Sequence, residues 1–448
     1  MARLEKTKYL IIGNSAGGIG ATEAIREIDD EGAITIISDE PYHAYSRPLV
    51  SEHLANGYSI EKMLYRPPDF YEKNNIRAYL GGKVAEVDFN KHTVRLEGGK
   101  ILAWQKLLLA TGGMPIIPDI EGVGLKGVFT FNRLDDARAI DEFLNQYHKK
   151  VRAVVIGGGL IGVSVTEALV ERGAEVTIIE MKERVLNTIL DEEASALEEK
   201  ALLQAGVEII TGHVAGRIES YWPDQVTGVS LDDGRSLPCE MVILAIGVQP
   251  RLELVTDSDI KVNRGIIVDR HMATSVPDVY ACGDAAEAYD FVYGENRLTP
   301  VWPNAYTGGR IAGLNMAGVA DEYQGGTAMN AVKYFGVSIV SAGMVSPPDD
   351  SYEMVSKRHD DIYRQIILKD GLIVGMVFAG DIEKSGIVYH LMKDRVDVSG
   401  FKEVLVADDF GLAFLPEEIW QSRLAILTPE LVPMVTTIEE PEELVIGE

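Results

Sequence analysis

Residues 8–18 read Lys-Tyr-Leu-Ile-Ile-Gly-Asn-Ser-Ala-Gly-Gly, and residues 151–162 read Val-Arg-Ala-Val-Val-Ile-Gly-Gly-Gly-Leu-Ile-Gly. In each stretch a short apolar run meets a cluster of glycines. A helical pattern and a second apolar run follow each cluster, and this second run ends at Ser38 in the first copy and at Glu180 in the second. A strand, a glycine turn, a helix and a strand within about 30 residues form the βαβ unit of a dinucleotide-binding fold.

The two copies remain alike further along the chain. Residues 106–113 (KLLLATGG) and 241–247 (MVILAIG) are apolar runs that end in glycine. Gly112 follows Gly13 by 99 residues, and Gly247 follows Gly157 by 90 residues. A single glycine motif is weak evidence for a dinucleotide-binding domain. Two copies with matching closing strands favour two dinucleotide-binding domains, the second inserted within the first.

The sequence pattern changes near residue 326. Alternating runs at 332–344, 363–369 and 372–378 predict strands, with Lys369-Asp370-Gly371 as a hairpin turn, and residues 383–393 predict a helix. We therefore expect an α/β fold of two nested Rossmann-like domains plus a smaller C-terminal α+β domain that serves as an interface or dimerisation domain. The expected bounds are 1–114 with 249–325 for the first domain, 115–248 for the second, and 326–448, including an acidic tail, for the third.

Charge and hydropathy exclude several classes of partner. The 448 residues include 42 Lys and Arg against 69 Asp and Glu, so the formal net charge is −27. Such a surface repels the phosphates of nucleic acids and of anionic membranes. The amino terminus lacks the pattern of a signal peptide, and the least polar stretch, residues 153–166, is too short to span a bilayer. We expect a cytoplasmic protein with no membrane span and no nucleic-acid partner.

Metal and thiol chemistry also lack sequence support. The eight histidines show no HxxxH or HExxH spacing, so no metal site is predicted. The two cysteines, Cys239 and Cys282, are too few for a four-thiolate iron–sulfur cluster. Both are expected to be buried thiols in a reducing compartment. The sequence contains no GxSxG motif, so it gives no support for a hydrolase triad.

The glycine turns predict where phosphates bind. In such a turn the first glycine allows the tight bend, the second lets a pyrophosphate approach the backbone, and the third lets helix and strand pack closely. Ser15 departs from glycine at the second position, but its side chain is small and has a hydroxyl donor. The three positions are Gly13, Ser15 and Gly18 in the first glycine turn (residues 13–18), and Gly157, Gly159 and Gly162 in the second glycine turn (residues 157–162).

Acids at the end of the second strand predict ribose ligands. Glu180 stands 23 residues after Gly157, where a carboxylate accepts hydrogen bonds from the adenosine ribose and repels a 2′-phosphate. NADH is therefore favoured, although Lys182 and Arg184 lie close enough to tolerate the phosphate of NADPH. In the first copy Asp39 is the expected ribose ligand, with Glu40 beside it in an uncertain strand-end register.

Several further motifs resemble those of the FAD- and NAD(P)H-dependent pyridine nucleotide–disulfide oxidoreductase superfamily. Within this superfamily, the sequence resembles a branch that includes rubredoxin reductases, the flavin domain of assimilatory nitrite reductases, and apoptosis-inducing factor. The resemblance covers about residues 8–405. It rests on Ser38-Asp-Glu-Pro, Tyr45-Ser-Arg-Pro-Leu, Ala110-Thr-Gly-Gly, Ala281-Cys-Gly-Asp, Trp302-Pro-Asn-Ala and Gly380-Asp-Ile-Glu.

This resemblance implies that the first domain binds FAD and the second binds NAD. It also implies which positions contact the cofactors: Arg47 and the backbone of Val84 contact FAD, Gly283 and Asp284 bind its ribityl chain and phosphate, and the segment from Trp302 lies beside the flavin ring. The full set of expected cofactor-binding residues is Gly13, Ser15, Ala16, Gly17, Gly18, Asp39, Glu40, Arg47, Val84, Ala110, Thr111, Gly112, Gly283, Asp284, Trp302, Asn304 and Ala305 for FAD, and Gly157, Gly159, Leu160, Ile161, Gly162, Glu180 and Gly247 for NAD.

Two departures from the family pattern bear on the chemistry. Disulfide reductases and their single-cysteine relatives place a reactive cysteine beside the flavin, but residues 39–60 contain none, and Cys282 is assigned no redox role. Relatives also often pair a lysine near the flavin N5 with a glutamate, and those positions are Glu52 and Ser164 here. A carboxylate at Glu52 would lower the flavin reduction potential. The alternative, equally open, is that Glu52 points into solvent.

The expected function is that of a flavoprotein oxidoreductase. Hydride passes between NADH and FAD, and the flavin exchanges single electrons with an iron–sulfur protein or subunit, in either direction. Alternatives are an NADH oxidase that forms hydrogen peroxide, and a nucleotide-binding subunit for assembly or sensing with little turnover. Apolar residues near the C-terminus predict a contact with a partner subunit, or else packing on the chain's own C-terminal domain or on a homodimer mate: Phe410, Leu412, Phe414, Leu415 and Trp420.

Overall fold

Three five-stranded sheets organise the part of the chain that the structure, a computed structural model, describes: residues 4–147, 149–221 and 224–425. Two of these sheets are parallel and one is antiparallel. The predicted fold class, two nested Rossmann-like domains and a smaller α+β domain, is confirmed. The acidic tail predicted for the C-terminus falls on residues 426–448, outside the described residues.

The strands of these three sheets are labelled in chain order. They are β1 (Tyr9–Ile12), β2 (Ile34–Ser38), β3 (Ile76–Leu80), β4 (Lys106–Leu109), β5 (Val128–Thr130), β6 (Arg152–Ile156), β7 (Glu175–Glu180), β8 (Glu208–Thr211), β9 (Met241–Leu244), β10 (Val279–Ala281), β11 (Met329–Tyr334), β12 (Val337–Gly343), β13 (Glu353–His359), β14 (Ile362–Lys369) and β15 (Leu372–Ala379). Shorter strands lie at Glu5–Lys6, Val84–Asp88, Thr93–Leu96, Ile101–Ala103, Gly113–Pro115, Ala215–Glu219, Gly228–Leu231, Ser236–Pro238, Val248–Pro250, Ile266–Ile267, Ala286–Asp290 and Glu295–Arg297.

Helices cover the sheets, and some of them line the cavity that is described in the next subsection. The α helices are α1 (Ala16–Ile28), α2 (Val50–Asn56), α3 (Ile60–Met63), α4 (Phe70–Lys73), α5 (Leu134–Asn145), α6 (Leu160–Glu171), α7 (Glu192–Gln204), α8 (Trp302–Met316), α9 (Ser385–Lys393) and α10 (Glu417–Ala425). Short 3₁₀ helices lie at Arg47–Leu49, Gly283–Ala285, Lys402–Val406 and Leu412–Phe414. Among the described residues no helix has both the length and the apolar character needed to cross a bilayer.

The two parallel sheets have equivalent strand orders. The first runs β10-β4-β1-β2-β3 and the second runs β5-β9-β6-β7-β8. In both, the strand before the glycine turn is central, with its βαβ partner on one side and the closing glycine strand on the other. The strands β1, β4, β6 and β9 are almost wholly buried and apolar, as expected for parallel strands covered on both faces. The second sheet takes its strands from residues 128–244, and the first takes strands from both sides of that interval.

The third sheet is antiparallel, in the order β11-β12-β15-β14-β13. Its predicted hairpin is present, because Asp370 and Gly371 both have positive φ and Lys369 pairs with Leu372. Residues 332–344 do not form one strand, since a second tight turn at Phe335 and Gly336 separates β11 from β12. The edge strand β13 was not predicted from the sequence.

The C-terminal apolar residues divide into three groups by burial. Phe410 and Leu415 are buried in the core of the antiparallel domain, so for these two the prediction of a partner-facing surface is wrong and packing on the chain's own domain is observed. Leu412 and Phe414 are exposed by 46% and 50%. Trp420 is partly buried.

Candidate active site

The two glycine turns have the same backbone construction. Gly13 and Gly157 adopt positive φ values of 123° and 109°, which L side chains rarely adopt. A Cβ atom on Gly18 would lie 2.1 Å from the carbonyl oxygen of Gly13, and one on Gly162 would lie 1.8 Å from the carbonyl oxygen of Gly157. Both third glycines therefore permit the close approach of helix and strand. Nothing lies within 4 Å of a Cβ atom on Gly159, which leaves room for a phosphate at the second turn.

A cavity of about 540 Å³ joins the two units, a size typical of ligand pockets. We call it the active-site cavity. Its walls come from the first glycine turn, the end of β2, the start of α2, the closing strand β4, the start of α8, helix α6 and strand β11. Predicted site residues that line it are Gly13, Ser15, Ala16, Gly17, Asp39, Glu40, Arg47, Glu52, Ala110, Thr111, Gly112, Leu160, Ile161, Ser164, Gly283, Asp284, Trp302 and Ala305.

The remaining predicted site residues are not among those lining this cavity. Asn304 donates from its side-chain amide to the carbonyl oxygen of Thr327 at 3.0 Å. Val84 is buried at the start of a short strand. Six more predicted residues do not line the cavity. One is Gly18 of the first turn. The others lie around the second glycine turn and its closing strand: Gly157, Gly159, Gly162, Glu180 and Gly247.

An arginine cluster surrounds the acids at the end of β2. Arg133 and Arg251 contact the same Asp39 oxygen at 2.9 and 3.0 Å. Arg47 pairs with Glu40, which also accepts a 2.6 Å hydrogen bond from the hydroxyl of Tyr45. Burial alone would raise the pKa of Asp39, but the guanidinium groups of Arg133 and Arg251 outweigh it and hold the pKa below its usual range. Sequence reasoning missed Arg133 and Arg251.

The closing strand and the Ala281-Cys-Gly-Asp motif meet at the cavity floor. Burial raises the pKa of Asp284, and the positive charge of Arg47 partly offsets this. Cys282 is buried and free, and burial together with Asp284 raises its pKa to about 12. Cys239 is also buried and free, in the core of the second unit, and burial raises its pKa to about 12. Both sulfurs are held as thiols in these surroundings.

In the second unit Glu180 is held by backbone donors. One carboxylate oxygen accepts from the N–H of Gly158 at 2.7 Å, and the other accepts from the N–H of Lys182 at 2.8 Å. Glu180 is buried and makes no salt bridge in the described part of the chain. These bonds fix its carboxylate beside the second glycine turn.

Acidic residues line the cavity where α2 meets α6. Both Glu52 and Ser164 are among the residues that line the active-site cavity, and the two readings of Glu52, beside the flavin or pointing into solvent, stay predictions. Asn56 donates to Glu52 at 3.0 Å. Glu167, one turn beyond Ser164, also lines the cavity and accepts from the backbone N–H of Phe335 at 2.5 Å. Burial raises the pKa of Glu167, the hydrogen bond from Phe335 opposes this rise, and the negative charges of Glu171 and Glu52 add to it.

One group of potential metal ligands exists elsewhere among the described residues. The Nδ1 atom of His213 lies 2.9 Å from Asp232 and 3.7 Å from Asp233, and the ligand atoms fall within 4.8 Å of one another. Arg235 pairs with Asp233 at 2.6 Å, and the side chains of Asp232 and Asp233 are 44% and 32% exposed. The group is accounted for as a surface ion-pair cluster.

The fold and this cavity define a class of protein, an oxidoreductase that binds two dinucleotides. Residues 7–309 match the family model of pyridine nucleotide-disulphide oxidoreductases, and residues 329–396 match the rubredoxin NAD⁺ reductase C-terminal domain. The chain belongs to the pyridine nucleotide-disulphide oxidoreductase family. It is an FAD-dependent NAD(P)H oxidoreductase, as the sequence predicted.

Three relatives show how far the likeness extends. The chain is 31% identical to a nitrite reductase [NAD(P)H] of Bacillus subtilis over 90% of this chain and 49% of that protein. It is 31% identical to the NADH-dependent phenylglyoxylate dehydrogenase subunit epsilon of Aromatoleum evansii, over 91% and 97% respectively. The structure of NADH:rubredoxin oxidoreductase from Clostridium acetobutylicum matches with a TM-score of 0.71 and 28% identity, over 90% and 99%. The chain thus spans about half of the nitrite reductase and almost all of the other two.

Proposed function

We propose that the protein transfers hydride between NADH and FAD and exchanges electrons one at a time with an iron–sulfur protein or subunit. The observation that carries this proposal is that a single cavity is lined by residues of both glycine-turn units, among them Ala16 of the first and Ile161 of the second. Dinucleotides bound at the two turns would direct their reactive ends into the same space. FAD supplies the chemistry when bound, because it takes two electrons as hydride and returns them singly.

The chain's own residues bind and orient the cofactors in this proposal. The first glycine turn, which has no room for a Cβ atom at Gly13 or Gly18, holds the FAD pyrophosphate. Arg47 and Arg133 line the cavity and supply positive charge beside the phosphates, while Asp39 orients the adenosine ribose. The second glycine turn and Glu180 hold NADH in the same way. The other predicted site residues keep the roles given by the family resemblance.

We further propose that the chain is the FAD- and NADH-binding subunit of a larger iron–sulfur enzyme. Two comparisons support this proposal, because the chain aligns with 97% of a dehydrogenase subunit and with about half of a nitrite reductase. A net charge of −27 gives little long-range attraction for an acidic carrier that arrives by diffusion. A permanent complex held by buried area avoids that repulsion. Leu412 and Phe414 are the exposed apolar residues that we assign to the contact.

Anaerobic reduction by NADH tests the hydride step. We expect NADH to bleach the bound flavin rapidly without oxygen, and an artificial one-electron dye to reoxidise it. A flavin that NADH leaves oxidised would reject the proposal and favour an assembly or sensing role. Hydrogen peroxide formation in air at the rate of dye reduction would favour the alternative of a stand-alone NADH oxidase.

Purification from the native source at low salt tests the subunit proposal. We expect an iron–sulfur protein to co-purify, and the double variant Leu412→Ser with Phe414→Ser to lose it while keeping NADH-driven dye reduction. Leu203→Ser is the matched control, because Leu203 is also an apolar residue, 60% exposed, but lies on α7 of the second unit, away from the assigned contact. A native protein that purifies alone would contradict the proposal. Truncation before Ala407 is a poorer test, since it removes the buried Phe410 and Leu415.

We propose the domain division 1–114 with 249–325, 115–248 and 326–448. It is supported by sheet membership, since β10 joins the first sheet after the second sheet is complete. The second unit is thereby inserted in the first. Expression of residues 115–248 alone tests this division: a folded fragment that binds NADH is expected, and an insoluble one would contradict it.

We also propose a cytoplasmic location. It is supported by two cysteines that are both free and buried, as expected where thiols stay reduced. Fractionation of native cells tests the proposal, and recovery of the protein outside the cytoplasm would contradict it.

A further inference from the structure

The expected ribose ligand of the first unit, Asp39, receives two arginines on one of its oxygens. The Nη2 atom of Arg133 lies 2.9 Å from Oδ2 of Asp39, and the Nη1 atom of Arg251 lies 3.0 Å from the same oxygen. The other oxygen, Oδ1, has no hydrogen-bond donor among the described residues. Because Asp39 lines the active-site cavity, Oδ1 is left free to accept a hydrogen bond from a ligand. We call Asp39, Arg133 and Arg251 the Asp39 clamp.

The acids of the two units are held in different ways. Glu180 is fixed by backbone N–H groups, which cannot turn away from it. Asp39 accepts from no backbone donor in the described part of the chain, so its orientation depends on the two guanidinium groups. A carboxylate with one side-chain partner can still rotate, whereas two partners on the same oxygen fix which oxygen is left for a ligand.

The two arginines of the Asp39 clamp come from different parts of the chain. Arg133 immediately precedes α5, among the elements of the second sheet. Arg251 follows the short strand Val248–Pro250, which pairs with Gly113–Pro115. These two short strands are the segments through which the chain passes from the first sheet to the second and back. The clamp therefore brings both units to the expected ribose ligand.

The backbone of Arg251 is held at both of its polar groups. Its N–H donates to the carbonyl oxygen of Gly112 at 3.0 Å, and its carbonyl oxygen accepts from the hydroxyl of Thr111 at 3.2 Å. Both partners line the active-site cavity and belong to the predicted FAD-binding set. The point from which the side chain of Arg251 reaches Asp39 is therefore fixed by that part of the site.

The side chain of Arg251 has one ion-pair partner in the described part of the chain, which is Asp39. Its Nε atom is buried and has no acceptor there. A buried donor without a partner is costly, and this cost offsets the stability that the ion pair contributes. Arg251 is also absent from the residues that line the cavity, unlike Arg47 and Arg133. Its contact with Asp39 is thus the feature that accounts for an arginine at this position.

Arg133 is shared between Asp39 and other anions. Its Nε atom lies 3.8 Å from Glu40, and it lines the cavity, where the proposed function gives it the FAD phosphates as partners. A guanidinium group divided among two carboxylates and a pyrophosphate is a weak anchor for any one of them. Arg251 has no competing anion among the described residues, so it can hold Asp39 while Arg133 contacts the cofactor.

We propose that Arg251 is a positioning residue for FAD, which holds Oδ2 of Asp39 so that Oδ1 is presented to the hydroxyl groups of the adenosine ribose. The inference rests on the proposed function, which places that ribose at Asp39. A carboxylate that is oriented before FAD arrives loses little rotational freedom on binding, so the affinity rises. Burial raises the pKa of Asp39, but the two guanidinium groups outweigh it, so the carboxylate stays ionised and accepts hydrogen bonds at neutral pH.

Titration of the flavin-free, full-length protein with FAD, followed by flavin fluorescence, tests the proposal. We expect Arg251→Gln to raise the dissociation constant of FAD about tenfold, because Asp39 loses a charged partner and can rotate. Arg264→Gln is the matched control, because Arg264 is exposed and makes no ion pair in the described part of the chain. It removes the same charge and should bind FAD as the wild type does. An affinity of Arg251→Gln equal to that of the wild type would overturn the proposal.

A double-mutant cycle with Asp39→Asn determines whether Arg251 acts through Asp39. We expect the double variant Asp39→Asn with Arg251→Gln to bind FAD no more weakly than Asp39→Asn alone. Losses that add in the double variant would overturn the proposal. If Arg251→Gln does not fold, Arg251→Lys replaces it in the cycle, because lysine keeps the charge and its shorter side chain withdraws from Oδ2. An unchanged affinity or additive losses would then overturn the proposal in the same way.

Urea unfolding of the flavin-free protein separates positioning from a purely structural role. We expect Arg251→Gln to unfold at the same urea concentration as Arg264→Gln, since the unpaired Nε atom of Arg251 offsets its ion pair. A lower midpoint for Arg251→Gln alone would show that it supports the fold and would overturn the proposal. None of these measurements uses NADH. A wild-type protein that binds no FAD would reject the proposed function, whereas normal FAD binding by Arg251→Gln overturns this inference alone.

Discussion

The first and second glycine turns share a backbone and differ in their surroundings. Helix α8 crosses α1 so closely that a Cβ atom on Gly309 would lie 2.0 Å from the carbonyl oxygen of Gly17. At the second turn a Cβ atom on Gly159 would meet nothing within 4 Å. The acid of the first unit, Asp39, lies between two arginines, whereas the carboxylate of Glu180, within the described part of the chain, accepts from backbone donors only. A turn with arginines held beside its acid suits a resident cofactor, and a turn with open space at its second glycine suits a nucleotide that exchanges.

Alanine at the third glycine of each turn should separate these two roles, with the largest effect of any change proposed. Gly18→Ala and Gly162→Ala both place a Cβ atom within about 2 Å of a carbonyl oxygen, so helix and strand must move apart. We expect Gly18→Ala to lose FAD or fail to fold. Gly162→Ala should keep FAD and lose about 100-fold in the rate of flavin reduction by NADH, about 2.7 kcal/mol of barrier.

The ratio of flavin absorbance to protein absorbance measures FAD retention, and anaerobic stopped flow measures reduction. Gly124→Ala is the matched control, because Gly124 lies outside both glycine turns and a Cβ atom there meets nothing within 4 Å, so the variant should reduce its flavin within about threefold of wild type. Loss of FAD from Gly162→Ala would contradict the assignment of the second turn to NADH.

The pH dependence of stability should have opposite signs for Glu198 in the second unit and Asp39 in the first. Burial in α7 gives Glu198 a pKa of about 8 when folded against an ordinary value of 4.5, so the folded state binds its proton more tightly than the unfolded state. This stabilisation is fully present below pH 4.5 and is lost as the pH rises to about 8, at up to about 1.4 kcal/mol per pH unit.

Urea unfolding of wild type and Glu198→Gln at pH 5, 7 and 9 measures that difference. The variant has no proton to lose, so its free energy of unfolding should fall less with rising pH, by up to about 4 kcal/mol over this range. Parallel pH profiles for the two proteins would show that Glu198 is already ionised in the folded state. Asp39, whose pKa is lowered, should give the opposite sign and lose stability only in acid.

Nucleotide preference should sharpen the contrast between Asp39 and Glu180. Glu180→Ala removes the carboxylate that repels a 2′-phosphate, and we expect the NADH-to-NADPH ratio of kcat/KM to fall about tenfold, or about 1.4 kcal/mol. Glu183→Ala is the matched control, because Glu183 is exposed and close in sequence. Similar kcat/KM values for both nucleotides in the wild type would refute the role given to Glu180.

The local signals in the sequence account for what was predicted correctly. A buried strand followed by a glycine turn is encoded within about ten residues, so β1, β6 and both turns were found. Strand β13 was missed because only Val355 of its seven residues is buried, which leaves no apolar alternation. Edge strands with polar faces give little periodic signal.

The parts of the site that the sequence did not reveal depend on contacts between distant residues. Arg133 and Arg251 reach Asp39 from 94 and 212 residues away, and neither belongs to a motif. Glu198 has four other charged residues near it in Glu192–Gln204, yet it is buried, in a helix that packs against strands β12 and β15. Long-range packing of this kind leaves no pattern in a single sequence.

The smallest effect is expected at the cysteines, where the two units should behave alike. Cys282 lies under the first glycine turn and Cys239 in the core of the second unit, both buried and free. Because burial raises the pKa of both thiols and residues 39–60 hold no cysteine, we expect electrons to leave the flavin without a sulfur intermediate. Replacement of both by alanine should change NADH-driven dye reduction by less than about threefold and cost about 1–2 kcal/mol of stability through lost packing. Dye reduction and thermal unfolding of the double variant measure both quantities. A loss of activity above about tenfold with FAD retained would mean that a thiol takes part after all, and the single variants would then show which unit carries it.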